Sequence, residues 1–245
     1  MKSKTIGIIL AAVVLQAYAP DAWSEVRKID SNFDGKIDQW QYFSDGPGKE
    51  ILKVEFDKNG DGLIDQRDLY DGNKLPMRAE LDRNFDGKMD QIQRYTKEGK
   101  LTQVEKDTKF NGKIDWKEFY DANGRLNKIE IDENQDGKTD VWQFYDENEK
   151  LIRREFDSRQ TGKVDRWEHF NSGGQLESVD FDTNGDQKPD QWQYFKNSSI
   201  LEKVTFDANF DGKVDRWETY DPSGKLVRVE LDRNHDGKVD EIHEK

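Results

Sequence analysis

From residue 25 onward, apolar and polar residues alternate in short runs that recur along the chain. In Leu226–Leu231, Val227, Val229 and Leu231 alternate with Arg228 and Glu230, the period of a strand with one buried face. The same alternation returns in Val54/Phe56, Ile129/Ile131, Val179/Phe181 and Val204/Phe206. A second run, Val214–Tyr220, is rich in β-branched and aromatic residues and predicts a partner strand. Between the two, Asp221-Pro222-Ser223-Gly224 has Pro second and Gly fourth, the chemistry of a tight turn. Each unit thus predicts strand, turn, strand and acidic loop, a hairpin joined to the next hairpin. Eighteen short strands in antiparallel succession follow, and stacked neighbours must bury the apolar face that one unit cannot.

The repeat is explicit in the loops. A motif D-x-N-x-D-G-K-x-D begins at Asp30, Asp57, Asp82, Asp107, Asp132, Asp157, Asp182, Asp207 and Asp232. The first interval is 27 residues and the other seven are 25, the two extra residues falling in the Ser44–Lys49 turn. The expected fold is therefore all-β: nine hairpin repeats joined by acidic loops in an elongated antiparallel sheet or solenoid. A closed β-propeller of two-repeat blades is the alternative. Residues 25–245 form one repeat domain.

The first 24 residues read differently. Met1–Lys4 carries two lysines, Thr5–Leu15 is an eleven-residue weakly polar-to-apolar run, and Ala22-Trp23-Ser24 offers a cleavage site before Glu25. This is the pattern of a secretory signal peptide, and the run is shorter than the about 20 residues that span a bilayer. No other stretch is apolar enough to insert in a membrane. The mature chain is expected to be exported, periplasmic or extracellular.

Two aromatic ladders accompany the repeat. Trp40, Trp142, Trp167, Trp192 and Trp217 stand two residues after the final Asp of their loops. Three residues further lie Phe43, Tyr70, Tyr95, Tyr120, Tyr145, Phe170, Phe195 and Tyr220. Such ladders serve either as ligand-stacking platforms or as the core of a lean sheet; with few aliphatic residues available, core is the expectation for both. Between the two ladders, Gln41, Gln93, Gln143 and Gln193 alternate with Asp68, Glu118, Glu168 and Glu218, a second period of about 50 residues.

The loops hold the candidate chemistry. Side-chain oxygens fall at positions 1, 3, 5 and 9, and position 7 offers a backbone carbonyl. Calcium takes six to eight hard oxygen ligands, which alternate positions of a curled loop can deliver. The candidate ligands of the first loop are Asp30, Asn32, Asp34, Lys36 (carbonyl) and Asp38, and of the second Asp57, Asn59, Asp61, Leu63 and Asp65. The third offers Asp82, Asn84, Asp86, Lys88 and Asp90, and the fifth Asp132, Asn134, Asp136, Lys138 and Asp140. The seventh, eighth and ninth offer Asp182, Asn184, Asp186, Lys188 and Asp190; Asp207, Asn209, Asp211, Lys213 and Asp215; and Asp232, Asn234, Asp236, Lys238 and Asp240. Turn chemistry alone would explain the Gly and one Asp of each loop, but not three mutually repelling carboxylates in nine residues.

The fourth loop has Lys109 and Asn111 at positions 3 and 5, and the sixth has Arg159 and Thr161. There a side-chain cation is expected to replace the ion and bridge the remaining Asps. Gln187 replaces Gly in the seventh loop and should weaken it. Six or seven calcium ions are expected, with extracellular-type affinity of roughly 10⁻⁴–10⁻³ M.

Loops such as Asp57–Asp65 and Asp207–Asp215 resemble the DxDxDG calcium loops of EF-hands, dockerins, thrombospondin type 3 repeats and integrin α-chain propellers. The strand context is most similar to the propeller type. The Tyr-Asp-x-x-Gly-Lys-Leu segments also resemble short bacterial surface β-hairpin repeats. The resemblance spans residues 30–240 and implies calcium binding rather than a specific activity.

Composition bounds the rest. A net charge of −13 disfavours nucleic acid and anionic membranes, and zero cysteines exclude disulfides, thiol catalysis and Cys-ligated metals. His169, His235 and His243 stand at three different repeat positions, and no nucleophile elbow, phosphate loop or His-Glu-x-x-His occurs. No enzyme is expected. The expected role is a calcium-rigidified structural or protein-interaction module, with a calcium-dependent glycan-binding or adhesive protein as the alternative. The partner is then another protein or a cell-surface glycan.

Overall fold

The computed structural model describes residues 24–245, which contain eighteen β-strands and no helix. The expected signal peptide lies outside the described residues, Ser24 apart. The strands are β1 (Glu25–Ile29), β2 (Gln39–Phe43), β3 (Ile51–Phe56), β4 (Gln66–Tyr70), β5 (Pro76–Leu81) and β6 (Gln91–Tyr95). Next come β7 (Leu101–Lys106), β8 (Trp116–Tyr120), β9 (Leu126–Ile131), β10 (Val141–Tyr145), β11 (Leu151–Phe156) and β12 (Arg166–Phe170). The last six are β13 (Leu176–Phe181), β14 (Gln191–Lys196), β15 (Ile200–Phe206), β16 (Arg216–Tyr220), β17 (Leu226–Leu231) and β18 (Glu241–Glu244).

Each strand pairs antiparallel with the next in the chain, from β1–β2 through to β17–β18. β1 and β18 do not touch, so the sheet is open, and the propeller alternative is excluded. At about 4.8 Å per strand, eighteen strands give a sheet contour of about 80 Å. In such a meander all nine acidic loops lie along one margin and all the hairpin turns along the other. A loop therefore recurs every second strand, about 10 Å from the next.

The turns are built as their residues dictate. In β16–β17, Gly224 N–H donates to the Asp221 carbonyl at 2.9 Å, and Gly224 takes φ +80°. The extra residue shifts the register between Thr219 and Tyr220, a glycine-borne β-bulge.

The pleat then sorts the side chains onto two faces. One carries a row paired residue to residue across the sheet: Gln41, Val54, Asp68, Ala79, Gln93, Val104, Glu118 and Ile129, and so on to Val229. Its aliphatic members Val54, Val104, Ile129, Val179 and Val204 are buried, as is Phe43 of the second aromatic ladder on the same face. The tryptophans point the other way, because positions three residues apart along a strand fall on opposite faces. Trp167 is paired with Glu155 and Asp180, and all five ladder tryptophans are only half-buried. The expectation of a tryptophan core is corrected: the buried row alternates small aliphatic residues with Gln and acids, Glu168 and Glu218 among its buried members, and the indoles share the other face with charged side chains.

That tryptophan face is held by charged pairs within and between strands. Glu55 meets Lys53 at 3.1 Å and Arg67 at 2.8 Å, and Arg67 reaches Glu80 at 2.8 Å. Lys53, Lys128 and Arg153 lie over the rings of Tyr42, Phe119 and Phe144, 3.8–4.3 Å from the centroids. Each such pair contributes roughly 0.2–1 kcal/mol.

The Gln and acid members of the alternation share one role on the valine face. Tyr95 donates to Gln93 at 2.6 Å and Tyr145 to Gln143 at 2.7 Å, while Tyr120 and Tyr220 donate to Glu118 and Glu218. A tyrosine hydroxyl is satisfied by either acceptor. An acid in every hairpin would place like charges about 10 Å apart, repelling by about 1.7 kcal/mol at an effective dielectric of 20. Alternation with neutral Gln doubles the distance and halves the repulsion.

Candidate functional site

Each loop closes on its own carboxylates. In the second, Asp57 accepts from Gly60 N–H (2.7 Å) through Oδ1 and from Gly62 N–H (2.8 Å) through Oδ2. Asn59 Oδ1 accepts from Asp61 N–H (2.9 Å), and Asp61 Oδ1 from Leu63 N–H (2.8 Å). Asp65 Oδ2 accepts from the N–H groups of Lys58 (2.6 Å) and Asn59 (3.1 Å). Equivalent bonds recur in the first, third, fifth, seventh, eighth and ninth loops. All four side-chain positions therefore have a backbone role, so turn chemistry explains more than the Gly and one Asp. The physical reason is that the loop's inward N–H groups need acceptors, and Asp and Asn supply them two residues away.

Two left-handed residues per loop make this possible. Position 6 is Gly at φ near +90° in eight loops, and Gln187 takes φ +74° in the seventh, donating to Asp182 at 2.8 Å as the glycines do. Position 4 is also left-handed, yet it holds Phe33, Phe85, Phe110 and Phe210 in four loops. Sequence reasoning missed this feature; Gly60 and Gly185 at the same position are the signal that could have found it. Phe33 is 90% exposed and Phe210 51%.

The predicted ligands separate into two layers. The Asps at positions 1 and 9 are buried in every loop except at the ends of the array, where Asp30 and Asp240 are more open. Positions 3, 5 and 7 are exposed, including Asn32, Asp34, Lys36, Asn59, Asp61 and Leu63. Backbone bonds stack the buried layer directly: Asp82 N–H donates to the Asp65 carbonyl, and Asp107 N–H to that of Asp90, both at 2.8 Å. Sixteen buried aspartates thus run along the loop margin, from Asp38 to Asp232.

Few cations answer them. Arg83 pairs with Asp90 at 2.5 Å and reaches the Asp107 carbonyl, so the third loop's ninth-position acid is engaged by a guanidinium. Arg159 pairs with Asp165 at 3.0 Å and donates to the Asp182 carbonyl, bridging the sixth and seventh loops. Burial raises Asp165, but Arg159 and the Ser158 amide outweigh it and hold the carboxyl below its ordinary value. Lys109 departs from expectation: its ammonium donates to the Glu133 carbonyl of the next loop at 2.8 Å and bridges no Asp of its own. His235 Nδ1 stands 3.7 Å from Asp215.

The donor set is hard oxygen throughout, which suits Ca²⁺ rather than Zn²⁺. Asp65 Oδ1 in the second loop is buried and receives no hydrogen bond from the protein, as fits an oxygen with lone pairs free for a cation; Asp107 Oδ1, in the fourth loop that is not a candidate ion site, is likewise without one. Among the described residues, however, no three His, Asp or Glu side chains converge closely enough to hold a metal ion. Their carboxylates turn to the backbone amides instead.

Fold and loops define an open array of β-hairpin repeats with an acidic margin. No protein-family pattern and no curated protein matches the sequence. Among solved structures, a TcdB2-TccC3 complex is similar at 13% identity and TM-score 0.27, over 82% of this chain and 13% of that one. This chain thus spans 13% of that protein's length. A porin-like protein from Bacteroides uniformis is similar at 8% identity and TM-score 0.24, over 90% and 94% of the two chains. Neither bears on what this chain binds.

Proposed function

We propose that this is an exported calcium-binding repeat protein in which ions at the loop margin rigidify the sheet. The sheet then presents an extended surface to another protein or a cell-surface glycan. The observation that carries this reading is the line of buried aspartates with so few basic partners. Burying a carboxylate without a counter-charge is costly, and oxygen-rich loops repeated at one margin are the chemistry that recruits a hard divalent ion. Positions 1, 3, 5, 7 and 9 of the first, second, third, fifth, seventh, eighth and ninth loops would hold it. When bound, the ion supplies positive charge to those carboxylates. No catalysis is part of this reading.

Thermal melting with and without chelator tests the proposal. Each site adds about 1.4 kcal/mol when free calcium is tenfold above its Kd, so chelation should lower the midpoint strongly. Native mass spectrometry should count six or seven ions. An unchanged melting curve, or a count of nine or of two or fewer, would overturn the reading.

One observation favours the adhesive alternative. Trp142, Trp167, Trp192 and Trp217 lie on one face in four successive hairpins, about 10 Å apart. Quenching of their fluorescence by acrylamide, and its loss on adding oligosaccharide, distinguishes the two.

A further inference from the structure

The valine face breaks its own repeat at one place. Between β4 and β6 a cleft of about 280 Å³ is lined by Gln66, Asp68, Tyr70, Ala79 and Tyr95, among others. Its floor is Ala79, where the equivalent hairpins carry Ile129, Val179 and Val229; the missing methyl groups open the space.

Asp68 belongs to the alternating acids, and its three equivalents are each served by a cation of the chain. Lys106 Nζ is 2.5 Å from Glu118, and Arg154 Nη2 is 2.7 Å from Glu168. Arg166 also pairs with Glu168, and Arg216 pairs with Glu218. At the positions matching Lys106, Arg154 and Arg166 around Asp68 stand Phe56, Val54 and Gln66. Asp68 has no basic partner among the described residues; its donor is the neutral Gln66 amide, 2.8 Å from both oxygens. Arg78 also lines the cleft, but its guanidinium is paired with Glu80 at 2.7 Å. Tyr70 and Tyr95 wall the cleft as neutral rings: burial, and the negative charge of Asp68, raise their hydroxyls above their ordinary value.

We propose that this cleft binds the ammonium or guanidinium end of an unbranched aliphatic chain supplied from outside the protein. The carboxylate takes the charge, while the two tyrosine rings take the cation's face and the methylenes. The volume is close to the lower bound of about 300 Å³ for small-ligand sites and suits one such headgroup. The site lies on the sheet face, and its argument does not depend on the calcium reading.

The test is an NMR titration of the full chain with n-butylamine, agmatine, N-acetyl-lysine amide and, as neutral control, n-butanol. Saturable shifts confined to Tyr70, Tyr95 and their neighbours are expected with the cations only. Equal binding of N-acetyl-lysine amide and n-butylamine assigns the natural ligand to a protein side chain; binding of the free amines alone assigns it to a small molecule. Three variants follow. Asp68→Asn removes the charge. Gln66→Arg supplies the internal cation that Arg166 and Arg216 supply elsewhere. Ala79→Val closes the floor as in the sister hairpins. All should weaken binding at least tenfold, and the last two, built from the array's own solutions, should keep the wild-type melting curve. The absence of saturable shifts in the wild type, or Asp68→Asn binding as well as wild type, would overturn the proposal.

Discussion

Replacing Asp65 by Asn separates the two forces acting at the loop margin. Asp65 is 2% exposed, its Oδ2 accepts two amides, and its Oδ1 receives no hydrogen bond. Asp82, 3% exposed, is joined to it by a 2.8 Å backbone bond on the adjacent strand. Two carboxylates about 5 Å apart repel by about 3 kcal/mol at an effective dielectric of 20. Making the acceptor neutral weakens two charge-assisted bonds by about 1 kcal/mol each. Without metal the variant should therefore be more stable by about 1 kcal/mol, which raises the midpoint of a chain this size by about 2–4 °C. With calcium at about ten to a hundred times Kd, the wild-type loop gains about 1.4–2.7 kcal/mol that the variant forgoes. Calorimetry in chelator and in calcium should thus show a gain in the first buffer that shrinks or reverses in the second. An equal gain in both would refute the metal argument, and a loss in chelator would refute the buried-charge argument.

Two further outcomes rest on the same geometry. Gln187 holds a left-handed conformation at φ +74° that eight sister loops give to Gly, so Gln187→Gly should stabilise by about 1 kcal/mol in chemical denaturation. The pH limits follow from the two faces. Burial and the neighbouring Glu55 and Glu218 push Tyr42 and Tyr220 up to about 12. A folded value above the unfolded one near 10 means that their contribution is whole below pH 10 and lost as pH rises toward 12. Glu55 and Glu118 shift the other way: burial raises them, but hydrogen bonds from Tyr42, Arg67 and Lys53, and from Lys106 and Tyr120, hold both lower. Their contribution is whole above the ordinary carboxylate value and lost as pH falls through the folded one. Circular dichroism should show a plateau bounded by these losses, and a midpoint still level at pH 12 would contradict the tyrosine assignment.

Strand order, turn positions and loop positions were legible because each rests on local chemistry. The alternation in Leu226–Leu231, the Pro222/Gly224 turn and the Asp-Gly loops act within a few residues, and 25-residue periodicity repeats the same local instruction down the chain. Loop competence was less legible. Lys109 and Arg159 occupy the same loop position, yet one reaches only the next loop and the other bridges both. Their reach depends on how adjacent loops are set across the sheet.

What the sequence by itself determined is the meander, since every pairing joins chain neighbours and needs no long-range choice. What only the tertiary structure decided is what each row of side chains faces. The pleat sends the tryptophans and the second aromatic ladder to opposite sides, brings Asp65 beside Asp82 across strands, and matches each alternating acid with a cation except at Asp68. Arg216–Glu218 and Gln66–Asp68 join next-but-one residues of one strand, but the others run across the strands, between residues about 12 to 17 apart in sequence, where a one-dimensional pattern records composition but not contact.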